Sequence, residues 1–302
     1  MSVSIRQIHP VFVGEVSDVD IARPLSPDEV VAIDDGMNRY AVLVFHDQKI
    51  TDEQQMAFTV NFGAMEDARG GNITRPEDRR LEVGMNDVSN LDKAGRPMER
   101  DSRQRLFNLG NMLWHSDSSF RAIPAKYSLL SARVVNPVGG NTEYADMRAA
   151  YDALDDATRE RIHSLAAYHS RRYSMDRADL HVNDENADRY QLYGFGIDIE
   201  PPLRPLVKVH PITGRPNLLI GQHAHAIPGL SADESEALLD RLNDEACVTP
   251  RTYYHTWTEG DAVLWDNRCL MHRATPHDPG QARRMWHTRI AGDPATEAGL
   301  DH

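Results

Sequence analysis

The sequence predicts a single mainly β domain with flanking helices, an α+β protein built as a β-sandwich or jelly roll. Short apolar runs rich in β-branched residues recur along the chain, separated by connections that Gly and Pro punctuate. Capped helices lie between some of these runs, but strands and helices do not alternate as regular βαβ units would require. All-β sandwiches and barrels often extend to roughly 200–250 residues as one unit. We therefore treat residues 1–302 as one domain.

Capping residues mark the helix starts. Ser26 precedes a first-turn proline and is followed three residues later by a capping-box glutamate, and Thr51 and Ser231 begin similar sequences. Asp146 and Asp156 are further candidate caps, because an aspartate side chain accepts hydrogen bonds from the first turn of a helix. The predicted helices are 27–40, 52–62, 147–154, 157–165 and 232–247.

Apolar runs and polar stretches give the strands and the loops. The predicted strands are 41–45, 127–135, 205–209, 218–221, 262–265 and 286–291. Residues 66–105 are crowded with charge, Gly and Pro, whereas residues 171–202 are polar with scattered tyrosines. Long loops in a compact domain are usually functional or disordered. We expect both segments to be lids, because each is next to a motif that carries chemistry.

Composition and charge exclude several classes of function. The chain has 33 basic and 46 acidic residues, a net charge of −13, so it lacks the basic surface that binds nucleic acid. Its two cysteines, Cys247 and Cys269, are too few for a disulfide framework or a four-cysteine zinc site. No signal peptide and no membrane span are evident, so a cytoplasmic location is expected by elimination. A small anionic substrate is compatible with this charge, since local arginines can dominate a buried site. Homo-oligomerisation is left open.

The strongest chemical motif is residues 114–117, Trp-His-Ser-Asp. In an extended segment, His115 and Asp117 point the same way and present an imidazole and a carboxylate to one point. A metal needs at least one more ligand, and the best candidate is His272. Two histidines and one carboxylate form the facial triad of non-haem iron(II) oxygenases, which leaves coordination positions open for a co-substrate and O₂. Three histidines would indicate zinc instead.

The flanks of these residues resemble a known family. The matching segments run from about Gly14 to Gly292 and include 14–20, 50–55, 61–63, 114–120, 137–142 and 265–268. In this order they are similar to the taurine dioxygenase and 2,4-dichlorophenoxyacetate dioxygenase family, whose members depend on iron(II) and 2-oxoglutarate. The resemblance implies a double-stranded β-helix, that is, a jelly-roll core. It also implies Fe(II) held by His115, Asp117 and His272, with 2-oxoglutarate as co-substrate and O₂ as oxidant.

The resemblance further implies how 2-oxoglutarate is held. Thr142 matches the position that contacts its carboxylate, and Arg283 matches the arginine that pairs with its distal carboxylate. A guanidinium suits that role, because it grips a carboxylate through two hydrogen bonds and keeps its charge. The next residue, Arg284, points to the opposite face if the segment is a strand. Residues 139–140, Gly-Gly, are expected to form a tight bend that only glycine allows.

Within the family, the sequence is most similar to the aryloxyalkanoate dioxygenases of the (S)-phenoxypropionate type. The segments that carry this likeness are 108–112, 145–154, 203–211, 218–229 and 285–287. Two positions differ from the family's pattern. His287 stands where related enzymes carry an arginine for the substrate anion, and Gln222 stands where this type carries a basic residue. The candidates for substrate contact are Asn111, Gln222, His223, His225 and His287.

Several alternatives remain at this point. The same chemistry could act on an alkylsulfonate, an alkyl sulfate or a natural-product carboxylate. A non-catalytic jelly-roll metal-binding protein and a zinc hydrolase are rivals of other classes. His223 and His225 could hold a second metal, although lining the substrate pocket is the better interpretation. Asp266 and Asn267 are expected to fix the strand leading to His272.

Overall fold

The computed structural model describes residues 3–66, 80–81, 84–99, 108–178 and 200–300. Its strands are β1 (Ser4–Gln7), β2 (Gly14–Ser17), β3 (Val42–Phe45), β4 (Asn86–Asp87), β5 (Ala125–Val134), β6 (Thr142–Asp146), β7 (Ala166–His169), β8 (Leu203–Pro205), β9 (Val207–Val209), β10 (Pro216–Leu218), β11 (Ala224–His225), β12 (Thr252–His255), β13 (Ala262–Asp266), β14 (Leu270–Ala274) and β15 (Arg284–Ala291). Its α-helices are Pro27–Tyr40, Asp52–Thr59, Met147–Asp152, Asp156–Ile162, Arg171–Arg177, Ala232–Ala246 and Pro294–Glu297, with 3₁₀ turns at Val60–Phe62 and Gly110–Met112.

The predicted class, mainly β with helices, is confirmed, and most helix starts are as the caps indicate. Ser26, Thr51 and Ser231 each accept a hydrogen bond in a complete capping box. The cap of the fourth helix is Asp155 and not Asp156, because Asp155 has the extended backbone from which its carboxylate reaches the amide of Thr158.

Two of the predicted strands and one of the predicted loops have other bounds in the structure. The run 205–209 is divided into β8 and β9 at the buried Leu206, and the run predicted at 218–221 forms β10 two residues earlier. The predicted loop 171–202 begins as the helix Arg171–Arg177, which Ser170 caps. Its residues 179–199 are outside the described part of the chain, as are 67–79, 82–83 and 100–105 of the predicted loop 66–105.

Two sheets, antiparallel except for one strand pair, form the centre of the fold. A seven-stranded sheet has the order β1-β2-β3-β13-β5-β15-β4, in which β2 and β3 are parallel and the other pairs are antiparallel. A three-stranded sheet has the order β12-β6-β14. Two smaller sheets, β10-β9 and β11-β7-β8, lie outside these two.

Alternating side chains of the large sheet build two cores. Val44, Leu130 and Trp265 share one buried cluster with Tyr144 of β6 and Leu270 of β14, so this cluster lies between the two sheets. The residues of the opposite face pack instead against the first two helices and the 3₁₀ turn, in a cluster that includes Leu43, Leu129, Leu264, Met37 and Phe58. Period-two alternation therefore places one face of β3, β5 and β13 toward the three-stranded sheet.

The three-stranded sheet is covered on its far side. Ala145 of β6 and Met271 of β14 pack with Leu238 and Leu242 of the helix Ala232–Ala246. The layers are thus helices, large sheet, small sheet and helix. Across the described residues, no helix combines the length and apolar character that crossing a membrane demands.

Candidate active site

A backbone bridge places two histidines side by side. The amide of His115 donates to the carbonyl of His272 at 3.1 Å, and the amide of His272 donates back to His115 at 2.8 Å. Residues that exchange both bonds in an antiparallel pair present their side chains on the same face. The two imidazole centroids are accordingly 4.3 Å apart. This pairing brings together two residues that are far apart in the sequence.

The carboxylate of Asp117 completes the cluster. Asp117 follows His115 at the end of the extended segment, before Ser118 turns the chain with a positive φ of 59°. Its Oδ2 lies 3.9 Å from Nε2 of His272. One ligand atom from each of His115, Asp117 and His272 lies within 4.8 Å of the other two, and all three residues are buried. The structure therefore brings the three predicted ligands to one point.

The surroundings put these groups in the protonation states that metal ligands need. Burial lowers the pKa of His115, and burial together with the nearby His115 lowers the pKa of His272 to about 3. Burial alone would raise the pKa of Asp117, but His287, His272 and Arg289 outweigh it and hold that pKa well below its usual range. At neutral pH the site thus presents neutral imidazoles and an ionised carboxylate.

The free ring nitrogens fit a metal. Nδ1 of His115 lies 2.7 Å from the carbonyl oxygen of Leu113, which can only accept, so Nδ1 carries the proton and Nε2 keeps its lone pair. The ring nitrogen of His272 that faces Asp117 is Nε2, which lies 3.9 Å from Oδ2 of that carboxylate. Two imidazoles and one carboxylate with further coordination positions left open are the donor set of non-haem iron(II) sites.

A second close group, His210, Asp266 and Cys269, does not fit a metal. Arg268 donates to both oxygens of Asp266, at 2.9 and 2.6 Å, and Nε2 of His210 lies 3.1 Å from Oδ2. The charge of Arg268 and the hydrogen bond from His210 outweigh burial and hold the pKa of Asp266 far below its usual range. Asp266 is therefore a structural anchor at the end of β13, in line with the sequence prediction.

Arg283 is a buried cation that forms no ion pair with a carboxylate of the described residues. Its Nε donates to the carbonyl of Gly140 at 3.1 Å and its Nη1 to the carbonyl of Val88 at 3.1 Å. Within the described chain, no carboxylate forms an ion pair with it, and burial lowers its pKa to about 10. A buried guanidinium held by neutral carbonyl oxygens is suited to an incoming carboxylate.

A glycine bend lies beside Arg283, and Thr142 follows it in the chain. Thr142 begins β6, and its Oγ1 accepts a hydrogen bond from Nε1 of Trp257 at 3.0 Å. The predicted bend at 139–140 is present, with φ values of 76° and 70°. A Cβ atom on Gly139 would lie 2.2 Å from the carbonyl oxygen of Pro276, so only glycine fits there.

A cavity opens next to the three clustered residues and contains four of the five predicted substrate contacts. Its wall includes His115 and Asp117 together with Asn111, Gln222, His223 and His287. His225 is not part of this wall. It lies two residues after His223 on β11, where its ring stacks on Tyr173 at 4.8 Å and its Nδ1 is 2.9 Å from the carbonyl oxygen of Tyr168.

His287 and Arg289 line the cavity from β15. His287 stacks on Trp265 at 5.5 Å, and its Nε2 lies 3.4 Å from Oδ2 of Asp117. Arg289 forms an ion pair with Glu66, with its Nε 2.5 Å from Oε2 of that carboxylate. His287 is thus directed at a candidate metal ligand, and Arg289 is already paired with a carboxylate.

Sequence reasoning missed the wall that the helix Arg171–Arg177 supplies. Arg171 and Met175 line the cavity, and the guanidinium of Arg171 lies 4.8 Å above the ring of Phe120. Burial and the neighbouring Arg289 and Arg121 lower the pKa of Arg171 to about 9. The capping side chain of Ser170 was the one signal that could have revealed this helix.

Known proteins are similar to this chain in sequence and in fold. The family model described as "Taurine catabolism dioxygenase TauD, TfdA family" matches residues 4–289. The (S)-phenoxypropionate/alpha-ketoglutarate-dioxygenase of Sphingobium herbicidovorans is 49% identical over 267 residues, which are 87% of this chain and 86% of that protein. The alpha-ketoglutarate-dependent 2,4-dichlorophenoxyacetate dioxygenase of Cupriavidus pinatubonensis is 38% identical over 291 residues, 94% of this chain and 96% of that protein.

A solved structure extends the likeness to three dimensions. AAD-2, crystallised in complex with Mn(II) and N-oxalylglycine, matches with a TM-score of 0.91 and 50% identity, covering 99% of this chain and 100% of that one. Sequence and structure agree over nearly the whole length. The chain therefore belongs to the taurine dioxygenase and TfdA family of dioxygenases.

Proposed function

We propose that this protein is an Fe(II)- and 2-oxoglutarate-dependent dioxygenase that hydroxylates an aryloxyalkanoate, a small anionic organic substrate. The observation that carries the proposal is the convergence of His115, Asp117 and His272 on one point, within 4.8 Å of one another. The cavity beside them and the buried Arg283 supply room for a substrate and a charge for the co-substrate.

The three clustered residues would hold the iron. When bound, ferrous iron and 2-oxoglutarate together activate O₂ and supply hydroxylation of a C–H bond, with release of succinate and CO₂. The protein's part is positional and electrostatic. The bridge between His115 and His272 fixes the two imidazoles, and burial keeps them neutral and free to donate their lone pairs.

Arg283 would bind the distal carboxylate of 2-oxoglutarate, with Thr142 nearby. Neutral carbonyls of Gly140 and Val88 hold the guanidinium in place without cancelling its charge. The ring of Tyr144 lies between the two ends of this region, 6.2 Å from His272 and close enough to Arg283 to influence its pKa. The co-substrate would therefore extend along β6 from the metal to Arg283.

The two central sheets support a double-stranded β-helix, or jelly roll. They face each other across a shared buried cluster, and both are antiparallel where they form the site. The ligands come from β14 and from the extended segment bridged to it. In this fold the metal would lie at the mouth of the space between the sheets, as one domain that includes residues 1–302.

Segments around the cavity would cover the bound substrate. The helix Arg171–Arg177 already forms part of the wall, and it begins the segment 171–202 that the sequence marks as a lid. The segment 66–105 would be the second lid, since its described part contributes Asn86, Asp87 and Val88 to the same wall. Closure over the site would exclude water during the reaction.

An aryloxyalkanoate suits the walls of this cavity. Phe120 and Met175 offer apolar and aromatic contact for a ring, whereas Arg171 and Gln222 offer polar contacts for a carboxylate. Hydroxylation of the carbon beside the ether oxygen yields a hemiacetal or hemiketal. This product collapses by breaking the bond from that carbon to the ether oxygen, giving a phenol and an oxo-acid.

Arg171 is the residue that would anchor the substrate carboxylate. His287, at the family's usual arginine position, faces Asp117, and Arg289 is engaged by Glu66. Arg171 reaches the cavity from another element, and its lowered pKa reports burial beside other cations. An incoming carboxylate would offset that repulsion and restore the stability of the charged guanidinium.

The function is tested by mixing the protein with Fe(II), 2-oxoglutarate, O₂ and (S)-2-phenoxypropionate. We expect equal amounts of succinate and phenol. Alkylsulfonates and alkyl sulfates serve as competing substrates in the same assay. If succinate forms only with a sulfonate or a sulfate, the aryloxyalkanoate is wrong as the substrate class. If no substrate leads to consumption of 2-oxoglutarate, the proposed dioxygenase activity is itself contradicted.

Arg171→Met should selectively weaken the binding of anionic substrates. Loss of hydrogen bonds from a charged donor costs about 1.5–3 kcal/mol, which corresponds to a KM increase of roughly 10- to 100-fold. For the methyl ester of the same substrate, which lacks the carboxylate charge, the KM should rise much less. Exposed Arg172, the next residue of the same helix, is the matched control, and Arg172→Met should keep the wild-type KM. Equal KM values for the two variants would remove Arg171 as the anchor.

A further inference from the structure

We propose that Ser128 and Asn267 form a hydrogen-bonded support that holds the carboxylate of Asp117 in place and thereby sets the metal affinity of the site. The inference rests on the proposed metal centre and concerns residues that do not themselves reach the metal. Neither residue is part of the cavity wall. Both are buried, with exposures of 0% for Ser128 and 4% for Asn267.

The hydrogen bonds form a directed chain. The hydroxyl of Ser128 donates to Oδ2 of Asp117 at 2.7 Å, and Nδ2 of Asn267 donates to the hydroxyl oxygen of Ser128 at 2.9 Å. The backbone amide of Asp117 donates to Oδ1 of Asn267 at 3.2 Å. Asn267 thus contacts Asp117 twice, once directly at the backbone and once through Ser128 at the carboxylate.

The orientation of the Asn267 amide follows from its neighbours. Its Oδ1 faces two donors, the amide of Asp117 and Nε1 of Trp265, which lies 3.0 Å away. Both can only donate, so the atom facing them must be the oxygen. The amide nitrogen must then point to Ser128, which accepts that bond and turns its own proton toward Asp117.

The support and the imidazoles are held by different sheets. Ser128 lies on β5 and Asn267 follows β13, both in the seven-stranded sheet, whereas His272 lies on β14 of the three-stranded sheet. Asp117 is therefore held by one sheet and the two imidazoles by the other. The ring of Trp265 adds a packing contact, since its centroid is 4.7 Å from that of His272.

A bond donated to a carboxylate oxygen orients the group without using all its lone pairs. Outer partners of this kind fix the position of a metal ligand, and their loss typically lowers metal affinity by roughly 10- to 100-fold. Without Ser128, the Asp117 carboxylate would be free to rotate toward His287, whose Nε2 is only 3.4 Å away. Metal binding by the Asp117 carboxylate would then compete with its contact to His287.

The test measures metal binding without turnover. Mn(II) is titrated into the full-length metal-free protein, and free Mn(II) is followed by electron paramagnetic resonance. We expect Ser128→Ala to raise the dissociation constant about 10- to 100-fold. Ser128→Cys has a slightly larger side chain and a weaker donor, so its dissociation constant should lie between those of Ser128→Ala and wild type. It replaces the alanine variant in the test if that variant does not fold.

Ser131→Ala is the matched control. Ser131 lies on the same strand, is equally buried and donates to Gln55 at 2.6 Å on the opposite face of the sheet. We expect it to cost stability, measured as the melting temperature of the metal-free protein, while leaving Mn(II) affinity unchanged. If the two serine variants lose Mn(II) affinity equally, or neither loses any, the support is refuted.

A double-variant comparison tests whether the two residues act as one unit. If Asn267 acts through Ser128, adding Ser128→Ala to Asn267→Ala should change Mn(II) affinity less than the two separate losses combined. Full additivity would contradict a single chain of bonds. Wild-type protein that binds no Mn(II) at all would instead contradict the proposed metal centre, so the two failures are distinguishable.

Discussion

Replacement of His115 by alanine is expected to abolish metal binding and 2-oxoglutarate turnover. The substitution removes one of the three clustered ligand groups and leaves two, while the backbone bridge to His272 can persist because it uses only main-chain atoms. The loss should therefore be chemical more than structural. It is measured as Mn(II) affinity of the metal-free protein and as succinate release by the Fe(II)-loaded protein.

His225→Ala is the control for this experiment. His225 is an imidazole on a neighbouring strand that lies outside the cavity wall and stacks on Tyr173. It should retain metal binding and succinate release. A second readout is the weak visible charge-transfer band expected when anaerobic wild-type protein receives Fe(II) and 2-oxoglutarate. Wild-type succinate release by His115→Ala would remove this residue from the ligand set, and a colourless wild type that retains zinc would favour a hydrolase.

Arg283→Met is expected to raise the KM for 2-oxoglutarate strongly and to change the KM for the organic substrate little. A guanidinium that pairs with a carboxylate through charge-assisted hydrogen bonds contributes about 1.5–3 kcal/mol for each bond. Loss of about 3 kcal/mol corresponds to a KM increase of roughly 100-fold. The measurement is succinate formation over a range of 2-oxoglutarate concentrations.

Arg284→Met is the matched control, because Arg284 is adjacent in sequence and its guanidinium lies 5.8 Å from the ring of Trp286. Arg283 also donates to the carbonyls of Gly140 and Val88, so Arg283→Met should lower the melting temperature. Arg283→Lys keeps the charge and distinguishes the two roles, since it should restore part of the 2-oxoglutarate affinity. If Arg283→Met lowers the melting temperature but leaves the KM for 2-oxoglutarate unchanged, Arg283 has a structural role and does not bind the co-substrate.

The features that could be predicted from the sequence are those that depend on residues close together in the chain. Ser26, Thr51 and Ser231 define helix starts because a cap and its partner lie three residues apart. The same holds for His115 and Asp117, which an extended segment turns to one side. His272 was found only through its surrounding motif, since no local rule shows which distant strand pairs with His115.

The missed features depend on contacts between distant segments. Ser128 and Asn267 are joined by a hydrogen bond across 139 positions, and nothing in the run around either residue indicates it. His225 was placed in the cavity by its proximity to His223, but packing against Tyr173 determines its position. β6 and β14 were missed because charged and ligand side chains interrupt their apolar pattern.

The division of the ligands between two sheets affects how much of the protein a cell retains. Imidazoles on one sheet and a carboxylate anchored to the other meet only after the chain has folded, so an unfolded chain offers the ion no comparable site. Binding then shifts the folding equilibrium by mass action, by about 2.7 kcal/mol when free metal is at 100 times its dissociation constant. Scarcity of ferrous iron would therefore lower the abundance of the enzyme as well as its activity, since the apo form would be degraded sooner.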